Sequence, residues 1–371
     1  MIEKTFSEVF TYRAICNAHA RARASKRDKK PIVKFEMKTL ENAYALYKRL
    51  SAGNFRFQGY NHFTVYEPKR REIQTLHYSD RVVQHVLCDE VLSPYFTSRA
   101  VLDNAVCQKG KGAHFALARF EKMLAAHIRK YGAKGYFLKC DVSKYFPAIP
   151  HSKLKQIILR HIRDQRIKDL VEQVIDSYHT DEGYLSSCGY RSYNEPLGTG
   201  RGIPIGNQTS QVFGMYYLNS VDRLVKERLR IKAYSRYMDD FIMVHQSKEY
   251  LQCVLNDIRA EVSALGLNLN SKTQIFPFKN GVTYLGFRYT VTPQGKIIKT
   301  VKKRTKKRMR FRARLLKKAY CQGAIPSERV RASLAAFHGH LKHARCYKLE
   351  KELFEKLKEI AFAKELRRQA K

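Results

Sequence analysis

The stretch Ser235-Arg236-Tyr237-Met238-Asp239-Asp240-Phe241-Ile242-Met243-Val244 sets two adjacent carboxylates between two short runs of β-formers. The pattern predicts a hairpin with Asp239 and Asp240 at its tip. Carboxylates that close repel each other and resist desolvation unless a divalent ion or a basic partner neutralises them. A solvated turn and a cation site both fit this stretch taken alone. A third carboxylate elsewhere decides between them, because a two-metal site for phosphoryl chemistry needs more oxygen ligands than one hairpin supplies.

Well upstream, Gly135-Tyr136-Phe137-Leu138-Lys139-Cys140-Asp141-Val142 reads as a largely apolar strand that runs out into an aspartate, followed by Ser143-Lys144-Tyr145-Phe146-Pro147. Asp141 as a simple cap of the next turn is the plainer alternative until a partner is found for it.

Composition narrows the class. With 371 residues and 44% hydrophobic content, the chain supports a large core or two to three contiguous subdomains. Lys and Arg total 71 against 33 Asp and Glu, a formal charge of +38. Such a chain repels itself unless its partner is a polyanion, nucleic acid first. A basic structural protein of ribosomal type fits the charge as well. No apolar run is long enough to span a bilayer and no signal peptide precedes Met1-Ile2-Glu3-Lys4, so no membrane partner is expected. Eight cysteines without a C-x-x-C pair predict reduced, mostly buried thiols in a cytoplasmic compartment. His340, His343 and Cys346 have helix-like spacing that suits a metal, and a basic helix touching nucleic acid explains them equally well.

Taken in order, residues 1–50 are expected to be helical, broken by Arg21-Ala22-Arg23-Ala24-Ser25-Lys26-Arg27, with a helix over 37–50 burying Leu40, Ala43, Leu46 and Leu50. Strands are expected in 55–67, then a helix capped by Ser79 or Asp80. Lys109-Gly110-Lys111-Gly112 is a flexible basic loop, a weak phosphate signal by itself. Helices follow over 114–130 and within 148–177, then a long polar loop over 179–201. Gly202 to Gln211 feeds an amphipathic helix reaching about residue 230, and another helix covers 249–265. Asn280-Gly281 suggests a second hairpin, between 273–278 and 282–289. The alternation is α+β layering. Between Thr300 and Tyr320 there is no acidic residue, while Lys302, Lys303, Arg304, Lys306, Lys307 and Arg308 open a basic predicted helix. Without counter-charges, that face suits phosphate. Helices over 327–340 and 348–368 follow.

Asp141, a long insertion, and then Asp239 and Asp240 resemble the palm of reverse transcriptases. Asp80-Arg81-Val82-Val83-Gln84, Lys109-Gly110-Lys111-Gly112, Ile203-Pro204-Ile205-Gly206 with Ser210, Lys272, and Tyr284-Leu285-Gly286-Phe287 fit the same family in order, from about residue 60 onward. The resemblance implies an α+β right-hand polymerase: an N-terminal basic helical extension (1–50), fingers (51–135), a palm of antiparallel sheet with helices on one face (136–290, with a finger-like insertion over about 148–200) and a basic helical thumb (291–371). It implies two Mg²⁺ ions, with Mn²⁺ as substitute, held by Asp141, Asp239, Asp240 and the Val142 carbonyl. Lys272 is the implied proton donor to pyrophosphate. Lys69, Arg71, Phe146, Ile205 and Gly206 would meet the dNTP, with Phe146 excluding the 2′-hydroxyl and so weighing against an RNA polymerase. Lys109, Lys111, Ser210, Gln211, Tyr284, Leu285, Gly286, Lys302, Lys303, Arg304, His340 and His343 would meet template and primer, and the product is an RNA-DNA duplex.

Within the family, Ile205-Gly206 and Ser210-Gln211 stand where group II intron enzymes carry Gln-Gly and Ser-Pro. This form, with the stretch Ser333 to Ala344, is similar to reverse transcriptases of diversity-generating retroelements. That likeness implies error-prone synthesis opposite template adenines, a small basic accessory variability protein and a bacterial or phage source. Group II and retron enzymes are the alternatives; the retron Val-Thr-Gly triplet is missing. A basic RNA-binding scaffold without activity is the rival from another class.

Overall fold

The computed structural model describes residues 1–66, 71–180 and 200–361, with Arg71 described by its backbone alone. Its architecture is α+β. The described residues form two compact units. The first draws on Met1–Arg119, Cys140–Phe241 and Glu249–Gln274, the second on Phe120–Lys139, Ile242–Lys248 and the described residues from Ile275 onward.

In the first unit, Thr11 caps the helix Tyr12–Ala22 by accepting the Ala14 N–H at 3.1 Å. The basic run ends that helix as expected, and the next, Lys30–Glu36, takes Pro31 in its first turn, where a missing N–H costs nothing. The helix expected over 37–50 starts at Thr39, and Leu40 is 69% exposed; the buried stripe is Ala43, Leu46 and Leu50. At 100° per residue Leu40 falls on the flank of that stripe. Only part of 55–67 is strand: β1 (Tyr60–Val65) pairs antiparallel with β2 (Arg71–Leu76), Tyr60 opposite Leu76. The helix Tyr78–Leu87 is capped by neither Ser79 nor Asp80. Asp80 is instead fully buried and accepts the Gln58 N–H at 2.7 Å, with burial raising its carboxyl above the usual range.

The second unit holds a three-stranded antiparallel sheet, β7 (Val282–Tyr284), β8 (Phe287–Val291) and β9 (Ile297–Val301). The hairpin expected at Asn280-Gly281 does not form. β6 (Gln274–Pro277) belongs to a different sheet, and a short 3₁₀ turn, Phe278–Asn280, leads into β7. The tight turn lies at Leu285-Gly286, whose φ angles of 43° and 92° are the left-handed pair that matches strand twist. Phe120 packs edge-on against Tyr284 and Tyr289, and the Tyr289 hydroxyl donates to Glu121 at 2.7 Å. Three helices complete the unit, Lys303–Cys321, Ser327–Leu341 and Tyr347–Ala361. Val330, Phe337 and Leu341 of the second and Leu349, Leu353 and Leu357 of the third are buried.

His127, in this unit, has its ring edge-on to Phe278. Burial, then the nearby His245, holds its imidazole down to about 4 against an ordinary 6.5. The folded chain favours the neutral ring, whereas the unfolded chain takes up a proton near 6.5. The stabilisation is therefore complete above about pH 6.5 and is lost as pH falls toward 4. Replacing His127 by Phe should flatten the melting-temperature profile across that window; an equally steep profile would exclude His127 as the acid-sensitive group.

None of the seven described cysteines forms a disulfide. Cys88, Cys140 and Cys346 are buried, but Cys107, Cys253 and Cys321 are exposed, so the thiols are not mostly buried. Cys253 and Cys321 occupy outward faces of helices, which the spacing of a polar helix does not forbid to a small side chain. Cys188 and nearly all of the long loop expected over 179–201 lie outside the described residues, as does the end of the last expected helix. No helix among the described residues is long and apolar enough to cross a membrane.

Candidate active site

β4 (Tyr234–Tyr237) and β5 (Asp240–His245) are joined by Met238-Asp239, so Asp239 occupies the turn and Asp240 begins the next strand. β3 (Tyr136–Asp141) lies beside β5 in the order β4-β5-β3-β6. Asp141 is its last residue, and the Val142 N–H donates to the Asp239 carbonyl at 3.3 Å. The aspartates far apart in sequence thus reach neighbouring strand ends. A loop clasps Asp141 from the other side: Asn270 N–H donates to the Asp141 carbonyl at 2.7 Å, and the Asp141 N–H donates to Thr273 Oγ1 at 3.3 Å. Ser143 N–H reaches the Asn268 carbonyl at 2.8 Å. The same loop carries the exposed Lys272, between Asn270 and Thr273. Asp141, Asp239 and Asp240 are half-exposed, while their chain neighbours Val142, Phe241 and Ile242 are buried.

The turn has internal support that the hairpin pattern did not reveal. Arg236 and Asp222 are both fully buried. Arg236 Nε and Nη2 donate to the two Asp222 oxygens at 2.7 and 2.5 Å, Nη2 also reaches the Met215 carbonyl at 2.8 Å, and Nη1 reaches the Met238 carbonyl at 3.0 Å. Tyr234 donates its hydroxyl to Asp222 at 2.6 Å, and Asn104 Nδ2 lies 3.4 Å from it. The usable signal was an arginine inside an otherwise apolar strand, since a buried charge needs a partner. Nothing in the sequence around Asp222 marked it as that partner.

A second group forms around Phe146. Its carbonyl accepts the Ile203 N–H at 2.9 Å, which ties it to the segment carrying Ile205 and Gly206. Phe146 is half-buried, and a Cβ added at Gly214 would stand 3.3 Å from its ring. Gly206 has φ +133° and its missing Cβ would fall 2.8 Å from the Gln74 carbonyl, so β2 and this segment approach as only glycine permits. Cys107 Sγ donates to the Gln211 carbonyl at 3.5 Å, which brings the loop of Lys109 and Lys111 to Gln211. Lys111 itself bonds the Leu102 carbonyl. Ser210, expected to meet template or primer, is 1% exposed within the helix Gln208–Tyr217. Lys69 lies outside the described residues, and Arg71 is placed by its backbone in β2, opposite Val65.

The family model described as reverse transcriptase (RNA-dependent DNA polymerase) matches residues 69–289, more than half of the chain and all of the residues just described around Asp141 and Asp239 from β2 onward. The chain belongs to the reverse transcriptase family. It is 25% identical over 187 residues to Protein YkfC of Escherichia coli K12, covering 41% of this chain and 46% of that protein. It is 21% identical over 333 residues to the COX1/OXI3 intron 1 protein of Saccharomyces cerevisiae, covering 72% of this chain and 38% of that one. For the COX1/OXI3 intron 2 protein of the same yeast the identity is 24% over 215 residues, covering 43% and 24%. The chain spans less than half the length of each of these relatives.

In this reverse transcriptase family member the donor chemistry around Asp141 and Asp239 fits Mg²⁺, which takes hard oxygen ligands. Among the described residues no three His, Cys, Asp or Glu side chains already stand close enough to share an ion. The same observation removes His340, His343 and Cys346 as a metal group; Cys346 is buried, and His340 stacks on Phe287 at 5.1 Å.

In the second unit, Tyr284, expected to meet nucleic acid, is fully buried against Phe120. Leu285 and Gly286 are half-exposed at the turn beside it, and the Lys302 N–H reaches the Gly286 carbonyl at 3.5 Å. Lys302, Lys303 and Arg304 are exposed at the start of the basic helix, and His343 is half-exposed after the next. Within Lys303–Cys321, Arg310 pairs with Glu352 at 2.8 Å.

Proposed function

We propose that this chain is an RNA-directed DNA polymerase that extends a primer 3′-hydroxyl with dNTPs on an RNA template. The observation that carries the reading is the meeting of Asp141-Val142 with Asp239 on adjacent strand ends, inside the segment matched by the family. Asp141, Asp239, Asp240 and the Val142 carbonyl would hold two Mg²⁺ ions, or Mn²⁺ in their place. Bound there, the ions would lower the pKa of the attacking hydroxyl and neutralise the triphosphate and the leaving pyrophosphate. Lys272, on the loop that clasps Asp141, is suited to protonate the leaving group. Lys69 and Arg71 would reach the triphosphate, and the Phe146 ring would exclude a ribose 2′-hydroxyl. Residues 51–135, 136–290 and 291–371 take the roles of fingers, palm and thumb, with 1–50 as an extension. The exposed lysines and arginines that begin at Lys302 would track the RNA-DNA duplex, releasing counterions as they bind. Primer extension on a homopolymer template, wild type against an Asp239 variant, tests the assignment against a non-catalytic scaffold.

We further propose the diversity-generating subtype, carried by Ile205 at the site where an amide is usual. Isoleucine packs but cannot hydrogen-bond the nascent pair, a loss worth about 1–3 kcal/mol of discrimination, roughly tenfold or more in error rate. Ile205→Gln should lower the error rate of the cDNA and change its spectrum; an unchanged spectrum would remove this side chain from the explanation. That subtype would work in a bacterial or phage-infected cytoplasm beside a small basic accessory protein. The likeness to two yeast intron proteins favours a second reading, an intron-type enzyme. Near-identical repeats differing at adenines in the flanking DNA would separate the two.

A further inference from the structure

We infer that Arg236 is a positioning residue for the metal-binding turn, and that Asp222 and Asn104 exist in this fold to aim it. The inference rests on the two-metal reading above. A buried ion pair is a poor way to gain stability, since well-packed apolar residues of similar volume serve as well. What an apolar pair cannot do is bind the carbonyl of Met238. Met238 has φ +56°, a left-handed conformation that a methionine adopts only where its surroundings impose it. The imposing contact is the Arg236 Nη1 donation to its carbonyl at 3.0 Å. The next residue is Asp239, whose own carbonyl accepts from Val142. A single guanidinium therefore sets the peptide between β4 and the aspartate.

The guanidinium is itself fixed from every side. Asp222 takes Nε and Nη2 as a fork, and the Met215 carbonyl takes Nη2 again. Asn104 spans the same two acceptors, lying 3.4 Å from both Asp222 and the Met215 carbonyl. The backbone of Arg236 is held too: its N–H donates to the Asp103 carbonyl at 3.0 Å and its carbonyl accepts from Ala105 at 3.2 Å. Lysine retains the charge in Arg236→Lys but has no planar fork, so it cannot grip Asp222 and reach Met238 at once.

Mn²⁺ binding followed by electron paramagnetic resonance of the free ion tests this on the full chain without asking for catalysis. Wild type, Arg236→Lys, Tyr234→Phe and Asp239→Ala are compared, each with a thermal melt. Tyr234→Phe removes one bond to Asp222 while leaving the Arg236 contact to Met238, and so reports lost stability alone. Arg236→Lys should bind Mn²⁺ about tenfold more weakly, the usual effect of removing an outer support of a metal site. Tyr234→Phe should bind as wild type, and Asp239→Ala should lose the site. Wild-type affinity in Arg236→Lys would overturn the inference, as would equal weakening in Tyr234→Phe or no difference between wild type and Asp239→Ala. Should this binding pattern hold in a chain that makes no DNA, the polymerase reading falls and the positioning role stands.

Discussion

Asp239→Ala should lower primer extension on a homopolymer template by on the order of 10³-fold or more, with the melting temperature close to that of wild type. The size follows from what the residue is asked to do: holding ions that stabilise charge in the transition state is worth several kcal/mol, and each 1.36 kcal/mol is about a factor of ten in rate. The small effect on stability follows from its place. Asp239 is half-exposed in a two-residue turn, and its backbone carbonyl, which alanine keeps, makes the bond to Val142. Equal incorporation by both proteins would refute the polymerase assignment and leave a basic RNA-binding scaffold as the better reading.

Asp222→Asn should be the reverse case, a large loss of stability from a residue that meets no substrate. Asp222 and Arg236 are both fully buried. Burial opposes the guanidinium charge, and Asp222 more than offsets it, holding the group above its ordinary pKa. A guanidinium loses its proton only far above neutral pH, so Arg236 stays charged even when its partner is neutralised and the support of Asp222 is gone. An uncompensated buried charge costs about 3–5 kcal/mol, a large share of the roughly 5–15 kcal/mol that keeps a domain folded. Urea-induced unfolding of the single variant and of Asp222→Leu with Arg236→Met checks the cause. The double variant leaves no orphaned charge and should recover most of the loss; a double variant as unstable as the single would show that packing, not charge, is at stake.

The strand ends that carry the aspartates, and separately the basic helix of the second unit, were legible because their chemistry is local. A strand running into Asp141, a hairpin turning near Asp239, and a helix with no acidic residues between Thr300 and Tyr320 each announce themselves within a few positions, though Asp240, expected at the tip, already begins β5. What escaped the reading depends on partners distant in sequence. Asp80 has the composition of a cap but is drawn inside by the Gln58 N–H. Asn280-Gly281 has the residues of a tight turn, yet Leu285-Gly286 takes the role because β6 is claimed by β3 and β7 by β8. Tyr284 and Ser210 looked available for nucleic acid and are enclosed by the core. Asn270 and Thr273, which hold Asp141, carry no motif of their own; only the fold brings them there.

The contacts of Arg236 with Asp103 and Ala105 also bear on how the chain behaves at high concentration. In the order β4-β5-β3-β6, β4 is an outermost strand, and an outermost strand with unused N–H and C=O groups is a template on which another molecule can add its own. Asp103 and Ala105 occupy those groups at Arg236, forming a parallel bridge through Asn104. Variants that loosen this short segment would uncover the sheet margin, so their first symptom would be self-association during expression and purification, ahead of any loss of secondary structure.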